Sequence, residues 1–462
     1  MVVGKHRAVA FSVCCIFLQF VPLQAEVPMV ERFTSVARSL VVVEYSIRNE
    51  LGSHELIGQG ILLNRDGVIL VAGDLFNEGF PTAWYQDIKI REPGRQSVAI
   101  PATFLGRTRD RLFGYVKASE PLDSVPFEPG DAAVSCVGRS VFSVAYLDRS
   151  ANYALTVRKS DIQTVFDLDH TVIQTGGLTR SNSPVYDAET GDFIGITLSV
   201  THLPSFLRSG RSPEPVESEP SSCFFPFDEV KSALANVPSE PFYLPRAWLG
   251  IGEISGLDED VRTIKQIRQP AAISIGTVIP DDVAEKSGLK GGDIILTVDG
   301  QQFSTASLPQ FMVMHFTRVI NSHKPGDNIV LGILRDEKRI DIPVTLGASP
   351  KLPSEMPHIF SPELGLITRD VVFADTYARK LPRETHGVVV AAIKNGAIAA
   401  LGATPIKSGY LITKVNDQPI EDQTQFLDIT KAALTVPGAR EMFFVAIDAA
   451  GETKICRVDL AK

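Results

Sequence analysis

Short apolar runs broken by Gly, Pro and Asn/Asp turns fill the chain from about residue 30 to 200. Ser39-Leu-Val-Val-Val-Glu-Tyr-Ser is one such run. Gly60-Ile-Leu-Leu and Val68-Ile-Leu-Val-Ala flank Asn64-Arg65-Asp66-Gly67, a turn signal, and predict a β-hairpin. Ala102-Thr-Phe-Leu, Gly114-Tyr-Val-Lys, Ala133-Val-Ser-Cys-Val and Phe193-Ile-Gly-Ile-Thr-Leu continue the pattern. Many short strands at near-regular spacing predict a β-barrel or sandwich. The stretch from Leu198 to Cys223 breaks the pattern. From Leu207 to Ser222 it has few apolar residues and three prolines, so it cannot bury a core and reads as a mobile loop. Phe227 to Val237 then predicts a short helix, and Pro238 to Pro245 a linker.

The remainder holds an internal repeat. One unit opens with Trp248-Leu249-Gly250-Ile251 and carries Gly276-Thr-Val-Ile-Pro280, a small helix at Val283-Ala-Glu-Lys, and Ser287-Gly-Leu-Lys-Gly-Gly-Asp-Ile-Ile-Leu-Thr-Val-Asp-Gly300. The other opens with Glu363-Leu364-Gly365-Leu366 and continues with Gly387-Val-Val-Val-Ala-Ala-Ile, Gly396-Ala-Ile-Ala-Ala-Leu-Gly402 and Ser408-Gly-Tyr-Leu-Ile-Thr-Lys-Val-Asn416. Gly409-Tyr410 stands in the second where Gly292-Asp293 stands in the first.

Composition changes the picture only at the edges. The 462 residues suffice for about three domains. A net charge of −9 argues against nucleic-acid binding. Lys5 and Arg7 precede an apolar run from Ala8 to Phe20, and Leu23-Gln24-Ala25 offers a small residue before Glu26. This predicts a signal peptide over about 1–25 and an exported, periplasmic or extracytoplasmic protein; an uncleaved anchor is the alternative. Cys136, Cys223 and Cys456 are odd in number and widely spaced. They predict buried inert thiols rather than disulfides or a zinc site, and no cofactor or metal is expected.

The repeats resemble PDZ domains of the bacterial type, through Ala284-Glu-Lys-Ser-Gly-Leu-Lys-Gly-Gly-Asp-Ile-Ile and the downstream Val298-Asp-Gly. A strand-rich unit, then two such repeats, behind an export signal resembles the HtrA (Deg) family of trypsin-like serine proteases. Gly58-Gln-Gly-Ile-Leu-Leu-Asn-Arg-Asp-Gly-Val-Ile-Leu-Val resembles its first hairpin, and Phe225-Pro-Phe-Asp-Glu-Val the helix leading to the first PDZ domain. The resemblance implies a mainly β chain: a trypsin-like double β-barrel over 26–240 and two small α+β PDZ domains over 246–348 and 358–462. It implies peptide binding, in which an extended segment adds to a sheet edge and its C-terminal carboxylate meets backbone N–H groups. Trp248, Leu249, Gly250 and Ile251, and Glu363, Leu364, Gly365 and Leu366, are the implied peptide-binding residues. It also implies assembly through the barrel domain, as a homotrimer or a mixed oligomer with active relatives.

The chain departs from the family at its chemistry. Gly73-Asp74 stands where the family has Asn-His, and Leu112 falls at the triad aspartate, with Asp110 two residues earlier. The nucleophile loop Gly-Asn-Ser-Gly-Gly-Pro is matched by Thr179-Arg180-Ser181-Asn182-Ser183-Pro184, which keeps the serine but loses three glycines. A serine hydroxyl needs a positioned base with a near-neutral pKa, which a carboxylate lacks. His54, His170 and His202 are the alternative bases in this region, and Ser183 is a second candidate nucleophile. The expectation is therefore a proteolytically inactive relative that binds peptides or unfolded segments of exported proteins, as chaperone, scaffold or regulator. The alternative is an active endopeptidase with a rewired site around Ser181.

Overall fold

The computed structural model describes residues 29–93, 99–129, 136–167, 170–179, 181–197, 222–303, 309–401, 404–438 and 440–460. The predicted signal segment lies outside these residues, as does the predicted loop up to residue 221. Ser222 and Cys223, the last two residues of that loop, already belong to a strand.

Strands β1 (Leu40–Asn49), β2 (Gly52–Leu62), β3 (Val68–Ala72), β4 (Tyr85–Arg91), β5 (Ile100–Arg107) and β6 (Phe113–Ala118) close a barrel in the order β1-β2-β3-β6-β5-β4. The predicted hairpin joins β2 to β3, with Gly60 opposite Val71 and Leu62 opposite Ile69. Asn64 Oδ1 accepts the Val68 N–H at 3.0 Å, the side-chain-to-backbone bond that makes Asn a turn residue. β7 (Ser140–Tyr146), β8 (Leu155–Asp167), β9 (Thr171–Thr175), β10 (Pro184–Asp187), β11 (Phe193–Thr197) and β12 (Ser222–Pro226) close a second barrel in the order β10-β11-β12-β9-β8-β7. Closure leaves neither sheet an open edge.

Two further sheets follow. β13 (Ala247–Trp248) pairs with β20 (Gly347–Ala348). Between them, β14 (Ile251–Gly256), β15 (Ile273–Val278), β16 (Ile294–Val298), β17 (Gln301–Gln302), β18 (Asn328–Arg335) and β19 (Lys338–Thr345) run in the order β14-β15-β16-β18-β19, with β17 on β16. β21 (Ile359–Ser361), β22 (Leu366–Asp370), β23 (Val388–Ile393), β24 (Leu411–Val415), β25 (Gln418–Pro419), β26 (Glu441–Ile447) and β27 (Thr453–Asp459) give β21-β22-β23-β24-β26-β27, with β25 on β24. Apart from β21 the two orders are the same, and each unit carries one long helix, Pro309–Ser322 or Gln423–Thr435. The sequence repeat is thus a repeat of topology. The chain is mainly β, a double barrel followed by two small α+β units.

One apolar cluster fills the first barrel, with Val41, Val43, Leu62, Ile69, Val71, Phe76 and Val116 buried together. A larger one lies along the seam between the barrels and takes in Phe113, Phe142, Tyr186, Phe193 and Phe225. Phe311, from the Pro309–Ser322 helix, joins it, so the first repeat unit is packed onto the barrels. Two expectations fail. Cys136 is exposed rather than buried, and Val137 beside it is 63% exposed. Neither belongs to a strand: β7 starts at Ser140, and residues 133–135 of that run lie outside the described residues. Cys223 and Cys456 are buried free thiols, as expected, and burial pushes Cys223 up to about 12.

Candidate functional site

Of the positions matched to a protease triad, Leu112 belongs to the apolar cluster along the barrel seam. Asp74 lies in the turn that follows β3. The turn is clamped from beneath. The Tyr45 hydroxyl donates to Leu75 O, Arg107 Nε donates to Phe76 O at 2.6 Å, and the Phe76 ring stacks between Tyr45 and Phe104 at 4.7 Å from each. Burial pushes the Tyr45 phenol well above its ordinary range, and the neighbouring Tyr85 and Asp74 add to this. The hydroxyl therefore stays protonated and donating. Leu112 is buried, and its carbonyl accepts the Gly73 N–H at 2.7 Å. Positions 74 and 112 are thus neighbours, but the second brings an apolar side chain.

Ser181 begins the segment that enters β10. Its Oγ is buried and, among the described residues, has no hydrogen-bond partner. No imidazole of the described residues therefore lies within hydrogen-bond reach of it. His54 is exposed on β2. His170 is held by Glu229 Oε2 at 2.8 Å, its ring against Phe225. His202 lies outside the described residues.

The substituted loop positions are occupied with other work. Asn182 adopts a left-handed backbone, φ 62°, a conformation that Asn tolerates better than most residues. Its Nδ2 donates across the seam to Gln59 O at 3.0 Å and Leu70 O at 2.9 Å. Gln59 returns the contact. Its Nε2 donates to Ser183 Oγ at 3.0 Å and Val144 O at 3.2 Å, and its Oε1 accepts the Tyr146 N–H at 2.9 Å. Ser183 N–H donates to Thr197 Oγ1 at 2.8 Å. Two residues before the serine, Thr179 N–H donates to Ser143 Oγ at 2.9 Å. In a serine protease the N–H groups at that position and at the serine receive the oxyanion. Gln59 and Ser143 were not singled out from sequence. Each is a lone polar residue inside a strand, and nothing local marks it as reaching the other barrel or the loop.

The first repeat unit offers a different kind of site. Gly250 takes φ 75° and Gly365 φ 69°, and a Cβ at Gly250 would sit 2.8 Å from Asp282 Oδ1. Both loops therefore depend on glycine. Between the Trp248–Ile251 loop and the Pro309–Ser322 helix lies a cavity of about 250 Å³, walled by Leu249, Ile251, Ile254, Phe316 and Ile320, with Arg246 at its side. Arg246 is held by Glu78 of the first barrel at 2.7 Å, and Glu78 also takes Arg111 at 3.3 Å. In the structure Phe316 lines the cavity while Phe311 points to the barrels.

A second junction joins the units. Glu229 receives His170, the Thr171 N–H at 3.0 Å, and Arg318 of the Pro309–Ser322 helix at 2.9 Å. Burial alone would raise this carboxyl, but those donors outweigh it and hold it down at about 2.

The PDZ domain family matches residues 257–346. A probable periplasmic serine endoprotease, DegP-like, of Pseudomonas fluorescens is 29% identical over 194 residues, 40% of this chain and 38% of the relative. Its counterpart in Pseudomonas savastanoi pv. phaseolicola is 25% identical over 391 residues, 81% of this chain and 74% of the relative. Among solved structures, the HtrA-type protease AlgW with decapeptide matches with a TM-score of 0.52 at 16% identity, covering 71% of this chain and all of that one. The same protease with tripeptide gives 0.51 at 18% identity, covering 70% of this chain and 98% of that one. These two carry the fold alone. Among the described residues, no helix is long and apolar enough to cross a membrane.

Proposed function

We propose that this HtrA-type protein binds peptides or unfolded segments of exported proteins through its PDZ units and does not cut them. The observation that carries this reading is the buried Ser181 Oγ, which has no hydrogen-bond partner among the described residues. A serine with no base cannot be deprotonated as it attacks, and loss of a triad member costs several orders of magnitude. Ser181 is then the remnant nucleophile, with Asp74 at the histidine position and Leu112 at the aspartate position. The Thr179 N–H, already donated to Ser143, supports the same reading, since an oxyanion would have to displace an internal bond.

Binding is assigned to Trp248, Leu249, Gly250 and Ile251, with Glu363, Leu364, Gly365 and Leu366 as the equivalent loop of the second unit. The apolar cavity beside the first loop suits a C-terminal apolar side chain, and the loop suits its carboxylate. The periplasmic names of the relatives support action outside the cytoplasm, and the peptides in the AlgW structures support the ligand class. Assembly through the barrels, as a trimer or with active relatives, belongs to the same proposal. The test is casein turnover by wild type and Ser181→Ala. Equal rates at the level of buffer are expected. Cleavage abolished by Ser181→Ala contradicts the reading.

A further inference from the structure

The two PDZ units present the equivalent strand in different states. In the first, β14 is the outermost strand of its sheet among the described residues and is bonded to β15. In the second, the equivalent β22 is flanked by β23 on one side and by β21 on the other. Ile359 faces Thr368, Phe360 faces Ile367 and Ser361 faces Leu366. The connection between them is Pro362-Glu363-Leu364-Gly365, so the loop equivalent to Trp248–Ile251 is itself the turn of a hairpin. Its Gly365 N–H donates to Ser361 O at 2.8 Å. An incoming peptide needs the backbone groups along that edge and in that loop. A strand tethered through four residues competes for them at an effective concentration of order millimolar.

The second unit also touches the first at its loop. Phe373 packs edge-on against Trp248, with ring centroids 6.4 Å apart. The Tyr377 hydroxyl lies over Gly252 of β14, where a β-carbon would collide with it. Arg383 lies over the Phe373 ring and reaches Asp282 Oδ2 at 3.4 Å. Asp282 is the residue packed beneath Gly250, and its Oδ1 accepts the Val283 N–H at 2.7 Å. One small helix, Phe373–Ala378, and the residue Arg383 beyond it therefore steady the first loop from outside.

We infer that the chain has one exchangeable peptide site, at Trp248–Ile251. The second unit holds its own segment Ile359–Ser361 where a ligand strand would lie, and braces the first unit's loop instead. This rests on the peptide-binding reading and narrows it. The ligand is an extended peptide with a free carboxylate and an apolar last residue.

Titration calorimetry of the full chain with a decapeptide ending in a free valine carboxylate tests it, with the amidated peptide as control. One peptide per chain is expected, lost on amidation and lost in Gly250→Val. Arg383→Ala should keep one site and weaken it up to about fivefold, the range of a single exposed ion pair. Hydrogen exchange locates the site without relying on a variant. Amides of Leu366–Thr368 should be slow to exchange before peptide is added and unchanged after it, while those of Gly252–Ile254 should slow on binding. Two peptides per chain, or new protection at Leu366–Thr368, overturns the single-site inference and leaves peptide binding standing. Unchanged affinity in Arg383→Ala overturns the brace. No binding of the free-carboxylate peptide overturns both the inference and the reading it rests on.

Discussion

The Thr179 N–H and Ser143 Oγ are hydrogen-bonded at 2.9 Å, and the Thr179 hydroxyl closes on the same oxygen at 2.8 Å. A backbone donor at the oxyanion position is thereby committed inside the protein. Supplying an imidazole is not enough to overcome this. In Asp74→His, casein hydrolysis is expected to stay at the level of buffer. Fluorogenic casein turnover checks it, and a rate above that of Asp74→His/Ser181→Ala would show that the donor is more available than the bond implies.

Asn182 is the second point at which the loop has been put to other use. Asn182→Gly keeps the left-handed backbone but loses the bonds to Gln59 O and Leu70 O, a cost of about 1–3 kcal/mol. Asn182→Ala loses the same bonds and adds about 1 kcal/mol of backbone strain. The alanine variant should therefore unfold at lower urea than the glycine variant, and both below wild type. Equal midpoints for all three would mean the seam does not depend on this residue.

Glu229 makes the fold acid-sensitive, chiefly through His170 and the Thr171 N–H of the second barrel, with Arg318 of the first PDZ unit contributing least. Its folded pKa lies below its unfolded one, so its contribution is complete above the unfolded value of 4.5 and is lost as pH falls toward about 2. The shift corresponds to roughly 3 kcal/mol at full strength. Wild type should lose thermal stability through that window, and Glu229→Gln should start lower and fall less steeply. Thermal unfolding midpoints at a series of acidic pH values give the comparison. Parallel curves would remove Glu229 as the cause.

Glu78 restrains a cation beside the peptide cavity. Arg246 lines that cavity and is paired to Glu78 at 2.7 Å. Glu78→Gln should release Arg246 toward a ligand carboxylate and tighten binding by up to about fivefold, with the gain shrinking as salt is raised. Fluorescence anisotropy of a labelled free-carboxylate decapeptide reads this directly. Weaker binding would mean that Glu78 chiefly positions the loop.

Much of the fold was legible because its signals are local. Asn64–Gly67 fixes a hairpin by turn chemistry alone, and the predicted Val283–Lys286 helix forms as written. The helix predicted over 227–237 ends two residues early, at Ala235. Cys136 and Val137 misled because a short apolar run does not declare whether it is buried, and both are open to solvent. The site was half legible. Missing residue types at positions 74, 112, 179, 182 and 183 could be read one at a time. What replaced them could not, because Gln59 and Ser143 act over 123 and 36 residues of sequence separation. The same holds for β21. Ile359-Phe360-Ser361 is too short to announce a strand, and only the closed hairpin shows which edge it covers.

Labelling by a fluorophosphonate probe tests the central claim most directly, since it needs an activated Ser181 and no knowledge of the substrate. Wild type is expected to label no more than Ser181→Ala, with both at background. Clear labelling of wild type that disappears in Ser181→Ala would contradict a binding protein without proteolysis.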